Sequence, residues 1–594
     1  MNRTRRVVLA AALVIVSAAG ARHSVKAQGP ERFSGPSSQS LLQLFDEYWE
    51  WKIARHPELA TSAGRREHNG RWTDLSKTAR DREQYDLREY LQRAMYLSPG
   101  TLTPRMQLSA FLLESDIRDQ IDSQPYLDAI TQVSQSDGLH NRVFVTVDQM
   151  PAATVVDYED IVARLRALPQ YIDQGIAQIQ EHIDAGLTQP ATVVDLMLDQ
   201  VAAQRRPLPA DSPLLAAFQR FPDSIPAAAQ RRLRGEAETA YTQQFQPAWT
   251  RLETFLRTTY RPRARAQAGI GSLRDGARAY DRLVHHYTTT HTPPGEIHAI
   301  GLREVARIER EMEAIAKDYG FTGTVAAFER ELASRPGMHF ESQQEMLAYA
   351  EDVMASVQPA LPRLFSTLPR MRVGVRPIPP DREASAASNY TVGTADGARP
   401  GWFNLNTYRP AEQVKYTVEA LVLHESVPGH HLQSALGREM PDVPAFQRAF
   451  NAAAFGEGWA LYAEGLGADL GVYRDPPTRF GRLASEYFRA VRLVVDTGIH
   501  SMGWSREQAR AYFSSRVPSQ SLAEVDRYVA RPGQALAYKM GQLKILELRD
   551  RARAALGDRF EIRAFHDAVL RNGRLPLDLL EEQVDRYISE AARR

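Results

Sequence analysis

The sequence predicts a mainly α-helical protein that forms one large folded unit. Apolar residues recur at helical spacing over several long stretches, for example 41–53, 157–185, 227–257, 295–317 and 414–436. A composition typical of a flexible linker occurs once, at 28–39. We therefore expect residues 40–594 to form a single helical domain with two lobes around a cleft, an N-terminal lobe of about 40–290 and a C-terminal lobe of about 291–594 that carries the site.

Residues 1–27 have the organisation of a secretory signal peptide. A basic start is followed by an apolar run at 7–20 and by small residues that permit cleavage after Ala27. The run is shorter than a membrane-spanning helix requires, so we expect no stable membrane insertion after cleavage; a retained signal anchor is the alternative. The chain contains no cysteine for lipid attachment or disulfides. These features predict a periplasmic or secreted bacterial protein.

The charge balance argues against a polyanionic partner. The chain has 73 Lys and Arg residues against 72 Asp and Glu residues, a formal net charge of +1. Binding to nucleic acid or to an anionic membrane surface would need a clustered basic excess. We therefore expect no nucleic-acid partner, while the oligomeric state is left open by the sequence.

Three of the 15 histidines fall within eight residues, in the segment Leu421-Val-Leu-His-Glu-Ser-Val-Pro-Gly-His-His-Leu432. His424-Glu425 matches the start of an H-E-x-x-H zinc motif, in which two histidines share one helix face and the glutamate is a general base. The next histidines, His430 and His431, come too late for that motif. On a regular helix each would lie roughly 9–10 Å from His424 along the axis.

Pro428 and Gly429 supply a means of bringing a histidine back. Proline cannot donate a backbone hydrogen bond to the preceding turn, and glycine tolerates unusual backbone angles. We therefore predict a kink or π-bulge at 428–429 that returns His430, or alternatively His431, to His424. The competing interpretation is an ordinary helix end capped by histidines.

A third metal ligand is predicted in the next helix. Glu457 and Glu464 lie seven residues apart in an Ala-rich, aromatic-rich segment, and therefore on one helix face. The apolar neighbours indicate a buried helix, in which an unpaired carboxylate is costly. We expect Glu457 to complete a His/His/Glu site for one Zn²⁺ per chain, and Glu464 to orient a ligand histidine.

Four segments, 424–433, 456–464, 492–500 and 532–541, together resemble the bacterial family called domain of unknown function 885 (DUF885). That family is similar to the gluzincin metallopeptidases, such as carboxypeptidase Taq and the oligopeptidases. The resemblance implies a large, two-lobed helical fold with a small β element beside the zinc helix, and a zinc hydrolase activity. Gluzincins carry glycine before the second histidine, which favours His430 as the ligand and keeps His431 as the alternative.

Two further helices carry candidate catalytic groups. Arg492, Asp496 and His500 recur at four-residue intervals, so Asp496 could fix the tautomer of His500, which could stabilise an oxyanion; a purely structural ladder is the alternative. In the segment 531–541, Gln534 and Tyr538 share a face. Tyr538 resembles the late tyrosine or histidine with which gluzincins stabilise the transition state, and a packing role is its alternative.

Residues 399–408 are predicted to form a short strand beside the zinc helix. Trp402, Asn404 and Asn406 alternate with Phe403 and Leu405, the period of a strand with one polar face. In gluzincin-like enzymes an edge strand here pairs with extended substrate, so Asn404 and Asn406, together with Gln534, are candidate substrate-binding residues.

These features predict an exported zinc-dependent metallopeptidase that cleaves short or flexible peptides. Zinc held by His424, His430 and Glu457 would activate a water, with Glu425 as general base. One alternative is a zinc amidase or esterase acting on a non-peptide substrate. The other is a non-catalytic periplasmic binding protein.

Overall fold

The computed structural model describes residues 38–96, 102–379, 383, 386–394, 397 and 399–593. The predicted signal peptide at 1–27, and residues 28–37 of the predicted linker, lie outside the described residues. Among the described helices, none is both long and apolar enough to cross a membrane.

The protein is mainly helical, as predicted. The first helices are α1 Ser38–Arg55, α2 Pro57–Ser62, α3 Lys77–Met95, α4 Pro104–Thr131, α5 Leu139–Asp148, α6 Val155–Arg166, α7 Leu168–Asp184, α8 Ala191–Gln204, α9 Ala216–Gln219, α10 Ala227–Ala240, α11 Gln246–Phe255, α12 Gly276–Thr288 and α13 Pro294–Asp318. They are followed by α14 Val325–Ala333, α15 Gln343–Val357, α16 Val418–Glu425, α17 His430–Glu439, α18 Ala445–Ala449, α19 Ala453–Gly465, α20 Pro476–His500, α21 Arg506–Arg516, α22 Ala523–Ala530, α23 Ala537–Leu556, α24 Ile562–Leu570 and α25 Leu577–Arg593.

A three-stranded sheet lies beside α16, and its strands are β1 Val373–Pro377, β2 Asn389–Thr391 and β3 Gly401–Leu405. The strand order is β1-β3-β2, with β1 parallel and β2 antiparallel to β3. Phe403 and Leu405 of β3 pack in one apolar cluster with Val418 and Val422 of α16. The strand predicted at 399–408 is therefore present next to the histidine segment, and this contact positions the helix.

The apolar cores divide the chain differently from the predicted lobes. Buried residues of α1 to α4 share a core with α16 to α19 and α23 to α25. A separate core is formed within α5 to α11, and a third joins α13 and α14 to α20, α21 and α22. The first helices thus pack against the C-terminal part of the chain, and among the described residues no break in the core coincides with residue 290.

Helices α19 and α23 approach each other closely because both carry glycine at the contact. A Cβ on Gly458 would lie 2.5 Å from Cα of Gly541, and a Cβ on Gly541 would overlap the carbonyl oxygen of Ala454. This close packing places Glu457 of α19 and Tyr538 of α23 on neighbouring, rigidly held backbones.

Candidate metal centre

The three predicted ligands lie together where α16, α17 and α19 meet. Nε2 of His424 is 3.5 Å from Oε2 of Glu457, and Nε2 of His430 is 3.3 Å from the same oxygen. One ligand atom from each residue lies within 4.8 Å of the other two. Two atoms bound to a tetrahedral zinc at roughly 2.0–2.1 Å are themselves about 3.3 Å apart. The spacing and the N, N, O donor set therefore fit one zinc ion.

The histidines converge because the chain folds back between two helices. Helix α16 ends at Glu425 and α17 begins at His430, so the expected kink or π-bulge within one helix is instead a complete break. A Cβ on Gly429 would overlap the carbonyl oxygens of Leu423 and His424, so glycine is required at this position. The rings of His424 and His430 are consequently 4.8 Å apart, centroid to centroid.

The connecting loop is fixed by hydrogen bonds to both helices. The amide of His431 donates to the carbonyl of Ser426 at 3.0 Å, and the Ser426 hydroxyl donates to the carbonyl of Val422 at 2.5 Å. Nε1 of Trp459, on α19, donates to the carbonyl of Pro428 at 2.9 Å; the Val427–Pro428 peptide bond is cis. The loop is thereby tied to the helix that carries Glu457.

His431, the alternative ligand, faces away from the cluster. Its Nε2 donates to the carbonyl of Met371 at 3.1 Å, and its Nδ1 lies 2.9 Å from the hydroxyl of Tyr390. Burial lowers the pKa of His431 to about 4, so the ring is neutral at physiological pH. Both ring nitrogens are engaged, and the geometry favours His430 as the ligand.

Glu464 fixes the orientation of His424. The carboxylate accepts a hydrogen bond from Nδ1 of His424 at 2.8 Å, which leaves Nε2 directed toward Glu457. Burial opposes the protonated form of His424, but its hydrogen bonds to Glu457 and Glu464 outweigh burial and raise its pKa to about 9. Burial likewise opposes ionisation of Glu457, but His430 and His424 hold its pKa well below the usual range. The pocket therefore strongly favours an anionic ligand at 457 and positive charge beside it.

Glu425 lies beside the cluster in a different environment. Its side chain is buried, and among the described residues Oε2 has no hydrogen-bond partner. Burial raises the pKa of Glu425, although the neighbouring His424 and His430 act in the opposite direction. A buried carboxyl oxygen without a partner is costly unless a ligand, metal or water completes its bonding. An unpartnered carboxyl oxygen directly beside three converging metal-ligand side chains makes Glu425 a candidate to act on a bound molecule.

One side of the cluster is open to solvent. The Glu457 side chain is 24 % exposed and that of His430 is 14 %, against 3 % for His424. The ring of Tyr538 lies nearly parallel to that of His424, with centroids 6.3 Å apart, and Arg492 stacks on it at 4.6 Å. In the part of the chain that the structure describes, the Tyr538 hydroxyl has no hydrogen-bond partner. It is therefore free to donate to a bound molecule.

The predicted Arg492–Asp496–His500 ladder does not bring His500 to the site. Both of its ring nitrogens bond to the main chain, Nδ1 with the amide of Ile270 at 3.1 Å and Nε2 with the carbonyl of Tyr528 at 3.0 Å. Asp496 accepts from the Tyr280 hydroxyl at 2.6 Å and from the Gly533 amide instead of pairing with His500.

His500 lines a separate cavity of about 670 Å³ with Trp504, and that cavity's lining includes none of the metal-cluster residues. With both of its nitrogens engaged by the backbone, it has no group left to stabilise an oxyanion. We assign His500 and Asp496 a structural role.

The predicted substrate-binding residues are committed to internal hydrogen bonds. Asn404 bridges the sheet, since Oδ1 accepts from Arg376 at 2.6 Å and Nδ2 donates to Asn389 at 2.8 Å. Asn406 donates to two carbonyls of the segment 383–386. Gln534 accepts from Arg527 at 2.5 Å. Strand β3 is central rather than at an edge, so it cannot accept a substrate strand as predicted.

Arg438, Arg489 and Arg574 were not identified as site residues from the sequence. Arg489 lies 4.0 Å from Glu464 and faces the Tyr538 ring at 5.9 Å. Arg489 lies about one helical turn before Arg492 on α20, and this spacing could have identified it from the sequence. Arg438 lies on α17, two turns after His430, and Arg574 comes to the site through tertiary packing against Gly456.

The comparisons with known proteins agree with the helical architecture. The family model described as a bacterial protein of unknown function (DUF885) matches residues 57–584. The chain belongs to the DUF885 family. A candidate lipoprotein from Colwellia psychrerythraea is similar to this DUF885 protein, with 27 % identity and a TM-score of 0.88 over 93 % of this chain and 99 % of the other.

Two further comparisons are more distant. A candidate lipoprotein of unknown function from Shewanella oneidensis shares the fold of this DUF885 protein, with 16 % identity and a TM-score of 0.70 over 92 % of this chain and 99 % of the other. A candidate oligoendopeptidase F from Bacillus anthracis aligns with a TM-score of 0.29 at 12 % identity over 86 % and 95 % of the two chains, which is too low to establish a common fold. Among curated proteins, no sequence matches the chain.

Proposed function

We propose that this DUF885 protein is an exported zinc-dependent hydrolase that cleaves peptide bonds in short or flexible peptides. The observation that carries the proposal is the buried Oε2 of Glu425, unpartnered among the described residues, beside three converging metal-ligand side chains. A structural zinc site would use four protein ligands, whereas His424, His430 and Glu457 leave one position open. A gluzincin-like, two-lobed architecture belongs to the same proposal, because the ligand chemistry is that of gluzincins.

Each residue of the cluster has a separate proposed role. His424, His430 and Glu457 would hold the zinc ion, and Glu464 holds the His424 ring in place. When bound, zinc supplies Lewis acidity that activates a water and polarises a substrate carbonyl. Glu425 takes the proton from the attacking water and delivers it to the leaving amine; its raised pKa suits it to hold that proton between the two steps.

Tyr538 is proposed to stabilise the oxyanion. Its hydroxyl is unpartnered among the described residues, and its ring is held between His424 and Arg492. A donor that is held in place before the reaction stabilises developing charge without reorganising. His500 is withdrawn from this role because the backbone occupies both of its nitrogens.

Export is supported by two features. Residues 1–27 have the pattern of a secretory signal. Two solved structures similar to this chain are described as candidate lipoproteins, a class of exported protein. We therefore propose that the hydrolase acts in the periplasm or outside the cell.

The test uses the Glu425→Gln variant loaded with zinc. We expect hydrolysis of unstructured peptides to fall by about 10²-fold or more while metal content is unchanged, since the variant loses only the base. Glu419→Gln is the matched control, because Glu419 is also a buried glutamate of α16 with an unpartnered Oε2 among the described residues, but its Oε1 binds Tyr349 rather than facing the histidine cluster. Full activity in metal-loaded Glu425→Gln would overturn the mechanism. Cleavage of simple amides or esters, but not peptides, would overturn the substrate class.

A further inference from the structure

Arg574 packs against Gly456 beside the proposed metal centre, and Arg438 and Arg399 follow it in the same region. None of these three arginines forms an ion pair with a carboxylate among the described residues, although arginines elsewhere in the chain commonly do, as Arg251 does with Asp173 at 2.8 Å. The only carboxylate whose charge acts on Arg574 among the described residues is the proposed metal ligand Glu457. Nε of Arg399 is buried and has no hydrogen-bond partner in that part of the chain. Unpaired, half-buried guanidinium groups are unfavourable, so their persistence at one place suggests an anion that the protein receives from outside.

Arg574 is fixed directly against both ligand helices. Its guanidinium carbon lies 2.9 Å from the position that a Cβ on Gly456 would occupy, and Gly456 precedes the ligand Glu457. Nη2 donates to the hydroxyl of Ser434 at 3.3 Å, and Nη1 donates to Asn451. Ser434 follows His430 by one turn of α17. The absence of a side chain at 456 therefore creates the space that brings this guanidinium beside the cluster.

Arg438 continues the same helix surface. It follows Ser434 by one turn, so His430, Ser434 and Arg438 succeed one another around α17 in steps of about 40°. Burial and the charges of Arg399 and Arg448 lower the pKa of Arg438. Burial lowers the pKa of Arg574 against the opposing charge of Glu457, and the charge of Arg438 adds to the lowering. Arg438 therefore lies close enough to Arg399 and to Arg574 to repel both.

Arg448 differs from these three arginines because it is bound to the main chain. Its Nη1 donates to the carbonyls of Met440 at 3.3 Å and Val443 at 2.7 Å. It contributes positive charge to the region, but Nη1 is held by the main chain in closing the turn after α17. Among the described residues no side-chain hydrogen bond holds Arg399 or Arg438, and Arg574 keeps N–H donors beyond those that bind Ser434 and Asn451.

We propose that Arg399, Arg438 and Arg574 form a subsite that binds a carboxylate of the peptide substrate next to the metal centre. A planar guanidinium offers paired N–H donors that match a carboxylate, and several of them together select for that charge. This inference deepens the proposed hydrolase function and rests on it. The carboxylate belongs either to the substrate's C-terminus or to an acidic side chain near the cleaved bond.

The experiment measures binding without turnover. Dissociation constants are determined by calorimetry for an alanine pentapeptide as the free acid and as the C-terminal amide, on zinc-loaded Glu425→Gln chain. We expect the acid to bind about 10-fold or more tightly than the amide. Adding Arg438→Gln should abolish most of that preference, whereas adding Arg448→Gln should retain it. Arg438 has no structural partner among the described residues, so its loss should leave the melting temperature unchanged.

Further peptides distinguish the source of the carboxylate. An amidated pentapeptide with a single internal glutamate that regains tight binding, lost again with Arg438→Gln or Arg399→Gln, assigns the subsite to a side chain. If every amidated peptide binds weakly, the subsite holds the C-terminus. Equal binding of the acid and the amide together with no gain from the internal glutamate, or a preference that survives Arg438→Gln and Arg399→Gln, overturns the subsite.

The two proposals can fail separately. If the wild-type chain cleaves the acid, the amide and the glutamate-containing amide equally well, the subsite is wrong and the hydrolase stands. If acid peptides bind through Arg438 but wild type never cleaves them, the subsite stands and the hydrolase function is wrong.

Discussion

Nδ1 of His424 donates to Oε1 of Glu464 at 2.8 Å, and this bond determines which ring nitrogen is available to a metal. It fixes the tautomer and turns Nε2 toward Glu457, 3.5 Å away. A carboxylate behind a ligand histidine also increases the basicity of the ligand nitrogen. Glu464 is thus a positioning residue that acts on the proposed metal site through His424.

Replacing Glu464 should weaken metal binding without removing a ligand. We expect Glu464→Gln to raise the zinc dissociation constant by roughly 10–100-fold, because the amide keeps the shape but loses the charge. Competition with a chelating dye measures this directly. Glu412→Gln, at a carboxylate that pairs only at the surface with Arg409, is the control. An unchanged zinc affinity in Glu464→Gln would remove Glu464 from the site.

Replacing Tyr538 should slow the chemical step. Tyr538→Phe deletes the unpartnered hydroxyl but keeps the ring that packs beside His424. We expect kcat to fall by about 10²-fold with KM little changed, since the lost bond forms mainly in the transition state. Tyr280→Phe removes a hydroxyl that is bound to Asp496 and should leave kcat unaltered. A rise in KM alone would instead assign Tyr538 to substrate binding.

The close contact of α19 and α23 predicts opposite effects for two glycine substitutions. Gly541→Ala places a methyl group against the Ala454 carbonyl and should destabilise the protein by about 1–3 kcal/mol. Gly235 lies in α10, and no described atom comes within 4 Å of the position its Cβ would occupy, so Gly235→Ala should stabilise by about 0.5–1 kcal/mol. Thermal melting compares the two. Equal effects would mean that the helices are not packed through Gly541.

Asp496 predicts a pH-dependent contribution to stability. Burial raises its pKa to about 7, against its hydrogen bonds to Tyr280 and Gly533, while an unfolded aspartate titrates near about 3.9. The folded chain therefore holds a proton that the unfolded chain releases. Its contribution is fully present below about pH 4 and is lost as pH rises through about 7, by an amount on the order of 4 kcal/mol.

The Asp496→Asn variant cannot titrate at this position. Relative to wild type, its melting temperature should therefore rise progressively between pH 4 and about pH 8. Melting curves across that range for both proteins provide the measurement. A constant difference between the two would show that Asp496 is ionised throughout in the folded chain.

The sequence predicted those features that depend on local chemistry. The apolar stripe at 295–317 corresponds to α13, and the alternation around Phe403 corresponds to β3. His424 and Glu457 were identifiable as candidate ligands because a His-Glu pair and a buried carboxylate have few other uses.

Features that depend on tertiary packing were not predictable. The break at 426–429 needs the backbone fold that Gly429 permits and the bond from Trp459, which no residue spacing specifies. His500 has the right spacing from Asp496, yet its partners come from distant backbone segments. Arg574 reaches the site from the turn before α25, so periodicity could not place it there.

The most direct test of the central claim is metal content per chain by elemental analysis. Wild type and the variants His424→Ala, His430→Ala, Glu457→Ala and His431→Ala are each equilibrated with zinc and desalted. We predict about one zinc ion per chain in wild type and in His431→Ala, and loss of zinc in the other three. No zinc in wild type, or retention in His430→Ala together with loss in His431→Ala, would contradict the proposed centre.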